Sequence, residues 1–549
     1  MIPLKQHRAF FLLIAFAAIL FLSDIWLYKE FVRAESYFAL GARSMVERQE
    51  WLAPHAPDEL QLNKPPLAYW FIGLSYNLFG MSYGSARLPS VIAALLVLIV
   101  VYGLGTKLSG VRSGLVSAAI LAGSYLFLSF ARLAMSDMLL TLWVTVAFAC
   151  FLVTLSEQTQ RSQNLVLIGY VALALGVLTK GPVALALVAV PIGLELLARR
   201  SRAGFQRLRW LEGLALFLLI TLPYFLVVYL RAGSSPLRFF FLSENFQRFT
   251  GQVYAGGGRP FWYELAAFFI DFAPWSVLLI LAVWIDWRRR KEKAAIDGKR
   301  VLYLWLLWTV MLFSVASFKR DYYLLPAMPA AALIIGPLFT NTEKLPAVVR
   351  RVLAVFLVAV SAIVIAGALL SLRAAAALSV QTILRFLPVT VAVVGSAALV
   401  VLVFRRKNRQ AALILSATIC ATVLSLQLSL LPAFVRYLPT AQLAARVPSG
   451  RAIYSSASAS DWASGLSFSI TSPNTVERLV GDLKNQKLAA VLAGDPRAVA
   501  LIWEHEYQDL RKRDPALRIL AETETFPHGG LSVNLIRNPQ RQRLLLVGH

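Results

Sequence analysis

The chain has 549 residues, 58% of them hydrophobic and only 15% charged, with a mean hydropathy of +0.65. A soluble domain is about half apolar and about a quarter charged, so disorder, a disulfide scaffold and an ordinary cytosolic protein are excluded and a polytopic α-helical membrane protein is expected. The net charge of +25 is spread over short connections between apolar runs, which makes it topology information before it is a nucleic-acid patch.

A spanning helix needs about 20 mainly apolar residues. Thirteen runs qualify, near 9–28, 87–107, 113–132, 137–155, 164–179, 181–198, 210–230, 261–286, 301–318, 322–340, 350–372, 382–404 and 411–432. The first follows Lys5 and Arg8 as a signal peptide would. It is long enough to span, and Asp24-Ile25-Trp26 lacks the small-residue cleavage pattern, so an uncleaved helix is expected. Cys150 and Cys420 lie inside apolar runs and read as small buried hydrophobes.

Alternate connections differ in charge. One set carries Lys107/Arg112, Arg161, the arginines from Arg199 to Arg209, the basic run from Arg288 to Arg300, Arg350/Arg351 and Arg405 to Arg409. The other set is poorer in positive charge. The rich set belongs in the cytoplasm, with the N-terminus inside and, after thirteen crossings, the C-terminus outside. Residues 1–432 form the membrane domain, with outer loops at 29–86 and 231–260. The tail, 433–549, reads as a small extracytoplasmic α/β domain. Strand-like runs lie at Ala452–Tyr454, Leu488–Leu492 and Leu531–Leu535, and helical patterns at Thr475–Lys487 and Ala498–Arg513. No internal repeat is found, which gives inverted-repeat transport no support.

Charged groups at the outer surface are the informative ones, since desolvating them is costly without a partner. Glu35 begins a stretch of helical spacing whose stripe of Phe38, Ala42, Met45 and Val46 suits a helix lying along the membrane surface. Glu35 also reads as an acid favoured at a helix N-terminus. Lys64 precedes Pro65-Pro66, which fixes its backbone, although a snorkelling lysine would look the same. Arg132 and Asp137 flank a turn and could form a local salt bridge. Lys180, in Thr179-Lys180-Gly181-Pro182, and the run Lys319-Arg320-Asp321-Tyr322-Tyr323 occupy connections with almost no room.

Cations converging beside a few carboxylates suit a phosphate at the membrane surface, or in part a lipid headgroup. The second outer loop adds Glu244-Asn245-Phe246-Gln247-Arg248 and Gly256-Gly257-Gly258-Arg259 with aromatics, which suit a sugar phosphate as well as an interfacial belt. No Walker A, HExxH or Ser/His/Asp pattern occurs.

An ordered series of these segments resembles the bacterial GT-C glycosyltransferases that use lipid-linked sugars, among them the lipid A aminoarabinose transferase and relatives of the protein O-mannosyltransferases. The series runs Glu35-Ser36-Tyr37, Ala42-Arg43-Ser44-Met45, Trp51–Pro54, Lys64-Pro65-Pro66-Leu67-Ala68-Tyr69-Trp70 and Ser85–Pro89. It continues with Asp137, Leu178–Pro182, Glu244–Phe249, Pro260–Tyr263 and Lys319 with Tyr322–Pro326, covering roughly residues 10–340. Many members carry Asp-Glu where this chain has Ala34-Glu35, and Glu-Lys-Pro-Pro where it has Asn63-Lys64-Pro65-Pro66.

The resemblance implies a helical bundle with surface helices in the first outer loop, and a polyprenyl-phosphate sugar donor. Transfer, with inversion, would be to an extracytoplasmic or membrane-associated acceptor such as a lipid A-type glycolipid, another envelope glycan or a protein. Glu35 and Asp137 are then the catalytic candidates. Arg43, Lys64, Tyr69, Arg248, Arg259, Lys319, Arg320, Tyr322 and Tyr323 are the phosphate or substrate candidates. No nucleic-acid partner is expected. A divalent metal ion held by paired carboxylates is the one cofactor left open. A lipid-linked-solute transporter, and a catalytically dead relative that only binds, are the alternatives.

Overall fold

The computed structural model describes residues 7–31, 33–56, 59–60, 63–156, 160–200, 202–251, 259–288, 293–340, 345–444, 446–447, 453–456, 480–483, 485–495, 497–525 and 541–549. The chain is mainly helical. Helix α1 (Arg8–Leu22) leads to α2 (Arg33–Arg48), a short hairpin of β1 (His55–Ala56) and β2 (Glu59–Leu60), and α3 (Leu67–Phe79). Then come α4 (Tyr83–Ser109), α5 (Val111–Ala122), α6 (Tyr125–Phe130), α7 (Ser136–Ser156), α8 (Gln160–Lys180), α9 (Val183–Arg199), α10 (Arg202–Arg207) and α11 (Trp210–Ala232). The short α12 (Ser235–Arg238) runs into a π-helix (Phe239–Gln247) and α13 (Arg248–Thr250).

Next are α14 (Tyr263–Asp271), α15 (Val277–Arg288) and α16 (Lys293–Val315). A 3₁₀ turn (Asp321–Ala327), α17 (Met328–Ile335) and a second 3₁₀ turn (Gly336–Phe339) follow. The bundle ends with α18 (Ala347–Ala377), α19 (Thr382–Phe404), α20 (Asn408–Val435) and α21 (Pro439–Ala444).

Each of the thirteen apolar runs contains helix, but not as thirteen unbroken spans. The third is divided between α5 and α6 at Gly123, and the eighth between α14 and α15 around Pro274. Proline, lacking an N–H and clashing with the preceding turn, ends helices in this way. Among the described residues seven helical segments are long and apolar enough to cross a membrane, by length and composition: Tyr83–Ser109, Ser136–Ser156, Gly204–Ala232, Tyr322–Phe339, Ala347–Ala377, Thr382–Phe404 and Asn408–Val435. The core between them is aromatic and aliphatic, with Trp305 stacked on Phe148 (centroids 4.1 Å apart) and both buried. Cys150 and Cys420 are buried and unbridged.

The apolar stripe of α2 does not face lipid. Phe38, Ala42, Met45 and Val46 are buried in the core, and Phe38 packs on Tyr69 of α3 (5.3 Å). A second helix brought back by Pro65-Pro66 supplies the covering surface that a lone stripe would have sought in the membrane.

The tail builds a five-stranded sheet from β3 (Ile453–Ser456), β4 (Val480–Leu483), β5 (Val499–Trp503), β6 (Arg518–Thr525) and β7 (Gln542–Gly548), with α22 (Asn485–Gly494) and α23 (Glu504–Arg513). Strand order is β4-β3-β5-β7-β6, with β4, β3 and β5 parallel and β7 antiparallel to both β5 and β6. The pleat sorts β5 by face. Val499, Leu501 and Trp503 pack with Leu430 and Phe434 of α20 and Ala374 of α18, whereas Ala500 and Ile502 pack with Leu488, Leu492, Tyr507 and Leu510 of the two tail helices.

Three expectations are corrected here. Leu488–Leu492 lies in helix α22, because Leu488 and Leu492 at i, i+4 share the buried face. Ala498–Arg513 is not one helix: its β-branched and aromatic start, Val499–Trp503, is strand, and helix begins only at Glu504. Of the expected helix Thr475–Lys487, residues 480–483 are strand β4. The expected strand at Leu531–Leu535 lies outside the described residues.

Candidate functional site

Four connections meet at one end of the bundle. The first is Asn63-Lys64-Pro65-Pro66 ahead of α3. Pro66 caps α3, so Lys64 is held just before a helix N-terminus. A cation there is opposed by the helix dipole, and both favour an anion nearby. The second is the α8–α9 turn at Lys180, whose Gly181 has φ +86° and would place a Cβ 2.7 Å from the Phe240 ring. Only glycine lets this turn seat against the π-helix.

The third connection is the π-helix with α13, which carries Glu244 and Arg248. The fourth is the segment from Ser317 to Tyr323. It is tied to the third by a hydrogen bond from the Ser317 N–H to the Phe249 carbonyl (2.8 Å) and by Gly251, whose missing Cβ would stand 2.8 Å from Ser317.

Electrostatics knit these parts together. Glu244 Oε2 accepts from Lys64 Nζ (3.2 Å) and from Arg248 Nη1 (2.9 Å), so one oxygen bridges two cations from segments far apart in sequence. The Arg248 guanidinium lies over Phe318 (4.2 Å), with Arg320 over the same ring (5.0 Å). Lys180 donates to Asp137 Oδ1 (2.5 Å), and its ammonium also faces Tyr323 (4.8 Å) and Tyr322 (5.8 Å). Asp137 stands in the first turn of α7 and Lys180 in the last of α8, so both dipoles favour their charges.

Arg259 donates to the Lys319 carbonyl (3.3 Å) and lies over Tyr263 (4.3 Å). Lys319 itself is buried, its ammonium donating to the Ala316 carbonyl (2.5 Å). Burial pushes the Lys64 ammonium down to about 8; Glu244 opposes the shift, and the neighbouring Arg248 and Lys180 add to it. Its side chain keeps 22% of its surface exposed, so the ammonium can be reached from outside.

Eight of the eleven candidate residues are therefore linked: Asp137, Lys64, Arg248, Arg259, Lys319, Arg320, Tyr322 and Tyr323. Three are elsewhere. Glu35 is fully buried, one oxygen accepting from Arg87 Nε (2.9 Å) and the Ala134 N–H (2.9 Å), the other from Arg87 Nη2 (3.2 Å). Arg87 in turn holds the carbonyls of Tyr28 (2.7 Å) and Glu30. In this position Glu35 is a pillar of the fold, with no edge turned to a substrate. Arg43 pairs with Glu47 one turn along α2 (2.7 Å). Tyr69 is wholly buried beside Phe38 and Tyr37, as an element of the α2–α3 packing.

Arg132 does not pair with Asp137. It reaches Asp24 Oδ2 (2.8 Å), which also accepts from Gln427 (3.0 Å), and the three tie α1 to α20. Glu244 and Lys180 are the site residues without an assigned role in the sequence reading. The i, i+4 spacing of Glu244 and Arg248 was the available signal for the first, and a lysine closing a three-residue hairpin for the second.

Among the described residues no three His, Cys, Asp or Glu side chains come together. Asp137 and Glu244 are each neutralised by a cation, which a metal would have to displace.

Residues 63–226 match the family model for dolichyl-phosphate-mannose-protein mannosyltransferase. The undecaprenyl phosphate-alpha-4-amino-4-deoxy-L-arabinose arabinosyl transferase of Yersinia pestis is 30% identical over 310 residues, 56% of this chain and 55% of that protein. An uncharacterised protein of Aquifex aeolicus is 28% identical over 312 residues, 57% of this chain and 60% of the relative. The chain thus spans a little over half the length of the curated relatives it matches. Over its whole length it has the fold of ArnT from Cupriavidus metallidurans. Against the apo crystal structure the TM-score is 0.74 at 20% identity, covering 98% of this chain and 97% of that one. Against the form bound to undecaprenyl phosphate it is 0.75 at 18% identity, with 98% of each covered. The protein is a polytopic membrane protein of GT-C fold that resembles the aminoarabinose and O-mannosyl transferases.

Proposed function

We propose that the protein is an integral-membrane glycosyltransferase that takes a sugar from a polyprenyl-phosphate donor and gives it to an acceptor on the outer side of a bacterial inner membrane. The observation that carries this reading is the convergence of Lys64 and Arg248 on a single oxyanion, beside Lys180, Arg320 and two tyrosines. That is the donor set a phosphate monoanion or dianion needs. The basic connections lie at the other ends of the same helices: Lys180 ends α8, whose first turn holds Arg161, and Lys319 follows α16, which starts at Lys293. By the positive-inside rule the site then faces out, with thirteen crossings and the C-terminal sheet on the same side.

In the reaction an acceptor oxygen attacks the anomeric carbon as the bond to the phosphate oxygen breaks, inverting that carbon. The electron pair leaves on the polyprenyl phosphate, where Lys64 and Arg248 stabilise it; pre-placed cations act strongly because they need no reorganisation. With Glu35 engaged by Arg87, Asp137 is the carboxylate in place to orient a hydroxyl acceptor and accept its proton, and the ion pair with Lys180 fixes its position. For a phosphate acceptor no base is required and Asp137 only orients. Lipid A-type glycolipids, other envelope glycans and proteins all present such oxygens.

Ala34 in place of the acid common among relatives, and the burial of Glu35, favour one second reading: a dead relative that binds polyprenyl phosphates without transferring sugar. Mass spectrometry of envelope glycolipids, glycoproteins and polyprenyl-phosphate sugars separates the two, in a deletion strain, the restored strain and one restored with Lys64→Ala. Transfer predicts one missing sugar and accumulated donor in the deletion and the variant. An unchanged set of glycans and lipids would leave only the binding protein.

A further inference from the structure

Glu244 is an acid placed where the donor phosphate is expected, and nothing in the reaction as drawn uses it. Its side chain is only 3% exposed, and its Oε2 occupies the convergence point of Lys64 and Arg248. It rides on a nine-residue π-helix, a conformation rare enough that its cost implies a purpose. An α-helical turn would rotate Glu244 relative to the groups that now fix this segment, namely Phe240 against Gly181 and Asn245 Nδ2 on the Phe240 carbonyl (2.7 Å).

We infer that Glu244 is a built-in counter-ion, holding the phosphate position between Lys64 and Arg248 in the free protein and yielding it when the donor binds. This rests on the reading of that pocket as the donor site. Lys64 and Arg248 with no anion between them would repel each other and raise the cost of the empty site; a carboxylate tethered there removes that cost and keeps the cations aligned. The arriving phosphate must displace it. The same carboxylate, returning, assists departure of the spent polyprenyl phosphate. Glu244 is thus a positioning residue that sets affinity and product release rather than a group in the chemistry.

The test is binding of undecaprenyl phosphate to the full-length protein in nanodiscs, for wild type, Glu244→Gln and Glu244→Asp. Removing the competing charge should tighten binding by about tenfold or more in Glu244→Gln and slow dissociation, the size of one lost charge-assisted contact. Glu244→Asp keeps the charge and should stay within about threefold of wild type. Equal or weaker binding by a Glu244→Gln protein that melts as wild type does would overturn the inference, since a mere scaffold acid loosens the cations when removed. If Glu244→Gln does not fold, a Glu244→Asp protein whose binding falls by more than about tenfold overturns it too. Failure of wild type to bind undecaprenyl phosphate at all, with Lys64→Ala no different, would instead remove the donor-site reading and this inference with it.

Discussion

Two buried acids with similar local sequence settings have different fates because of what faces them. Glu35 meets Arg87 with two oxygens and is fully buried; Glu244 meets two cations with one oxygen, beside the partly exposed Lys64. Removing one partner of a buried pair strands the other charge, at about 3–5 kcal/mol. Glu35→Ala should therefore appear first as lost stability, with a lower melting temperature and yield in detergent, and only then as lost activity. A Glu35→Ala protein that melts like wild type yet turns over no donor would return this residue to the chemistry. Lys64 makes a prediction of opposite kind. Its ammonium titrates near 8, below the ordinary 10.5, chiefly through burial. The folded protein gives up that proton before the unfolded chain does, so this group disfavours folding below 8 and the cost disappears as pH rises towards 10.5. Anion binding has the reverse sign, because it needs the proton. Affinity for undecaprenyl phosphate, whose own ionisation is complete above about pH 7, should be flat to about 8 and then weaken by up to about tenfold per pH unit. Lys64→Arg should flatten the profile; a wild-type dissociation constant unchanged from pH 7.5 to 9.5 would show that Lys64 is not the ionising contact.

At the scale of elements, the site depends on how tightly four connections are cut. The α8–α9 turn has no slack: Lys180 closes α8, Gly181 turns with positive φ against Phe240, and Pro182 caps α9. Gly181→Ala would meet both a strained backbone and a ring 2.7 Å from the new methyl. The turn would have to lift off the π-helix, carrying Lys180 away from Asp137 and Tyr323. The expected result is a loss of turnover of at least about tenfold, with undecaprenyl phosphate binding less affected because the Ser317–Phe249 hydrogen bond still holds the Arg248 segment. Equal losses in both would mean that the turn positions the phosphate cations instead. The elements also show what sequence could reveal. Charge in connections too short for solvent to reach marked Lys180, Lys319 and Tyr322 as a group. The resemblance brought in Arg43, which α2 pairs with Glu47, since a one-turn ion pair and a ligand contact look alike before the neighbouring helix is placed. Tyr69 was drawn in by its motif, yet the motif is there for packing: Gly41 and Tyr69 are the close contact between α2 and α3.

For the whole molecule, hydropathy carried the bundle, because membrane-length apolar runs separated by basic connections have few other folds available. It did not carry the breaks at Gly123 and Pro274. Nor did it carry the tail, where short apolar runs suit strand and helix equally and the partner face decides. That face is the bundle itself. The sheet turns Val499, Leu501, Trp503, Leu544 and Leu546 to the ends of α18 and α20, and keeps Ala500, Ile502, Leu545 and Val547 for its own helices. The two sets alternate along single strands, so they can be perturbed separately. Leu546→Asp puts a charge into the bundle-facing layer, in the apolar cluster that holds Leu430, Phe434 and Trp503. It should release the sheet as a unit, seen as faster proteolytic trimming of the tail while the bundle keeps its melting transition. Leu545→Asp, one residue away on the other face, should unfold the sheet itself and be degraded to the same end of α20 even faster. If the two variants were cleaved at equal rates, the sheet would have no stability apart from the bundle. The tail would then be the bundle's last layer rather than a second folding unit.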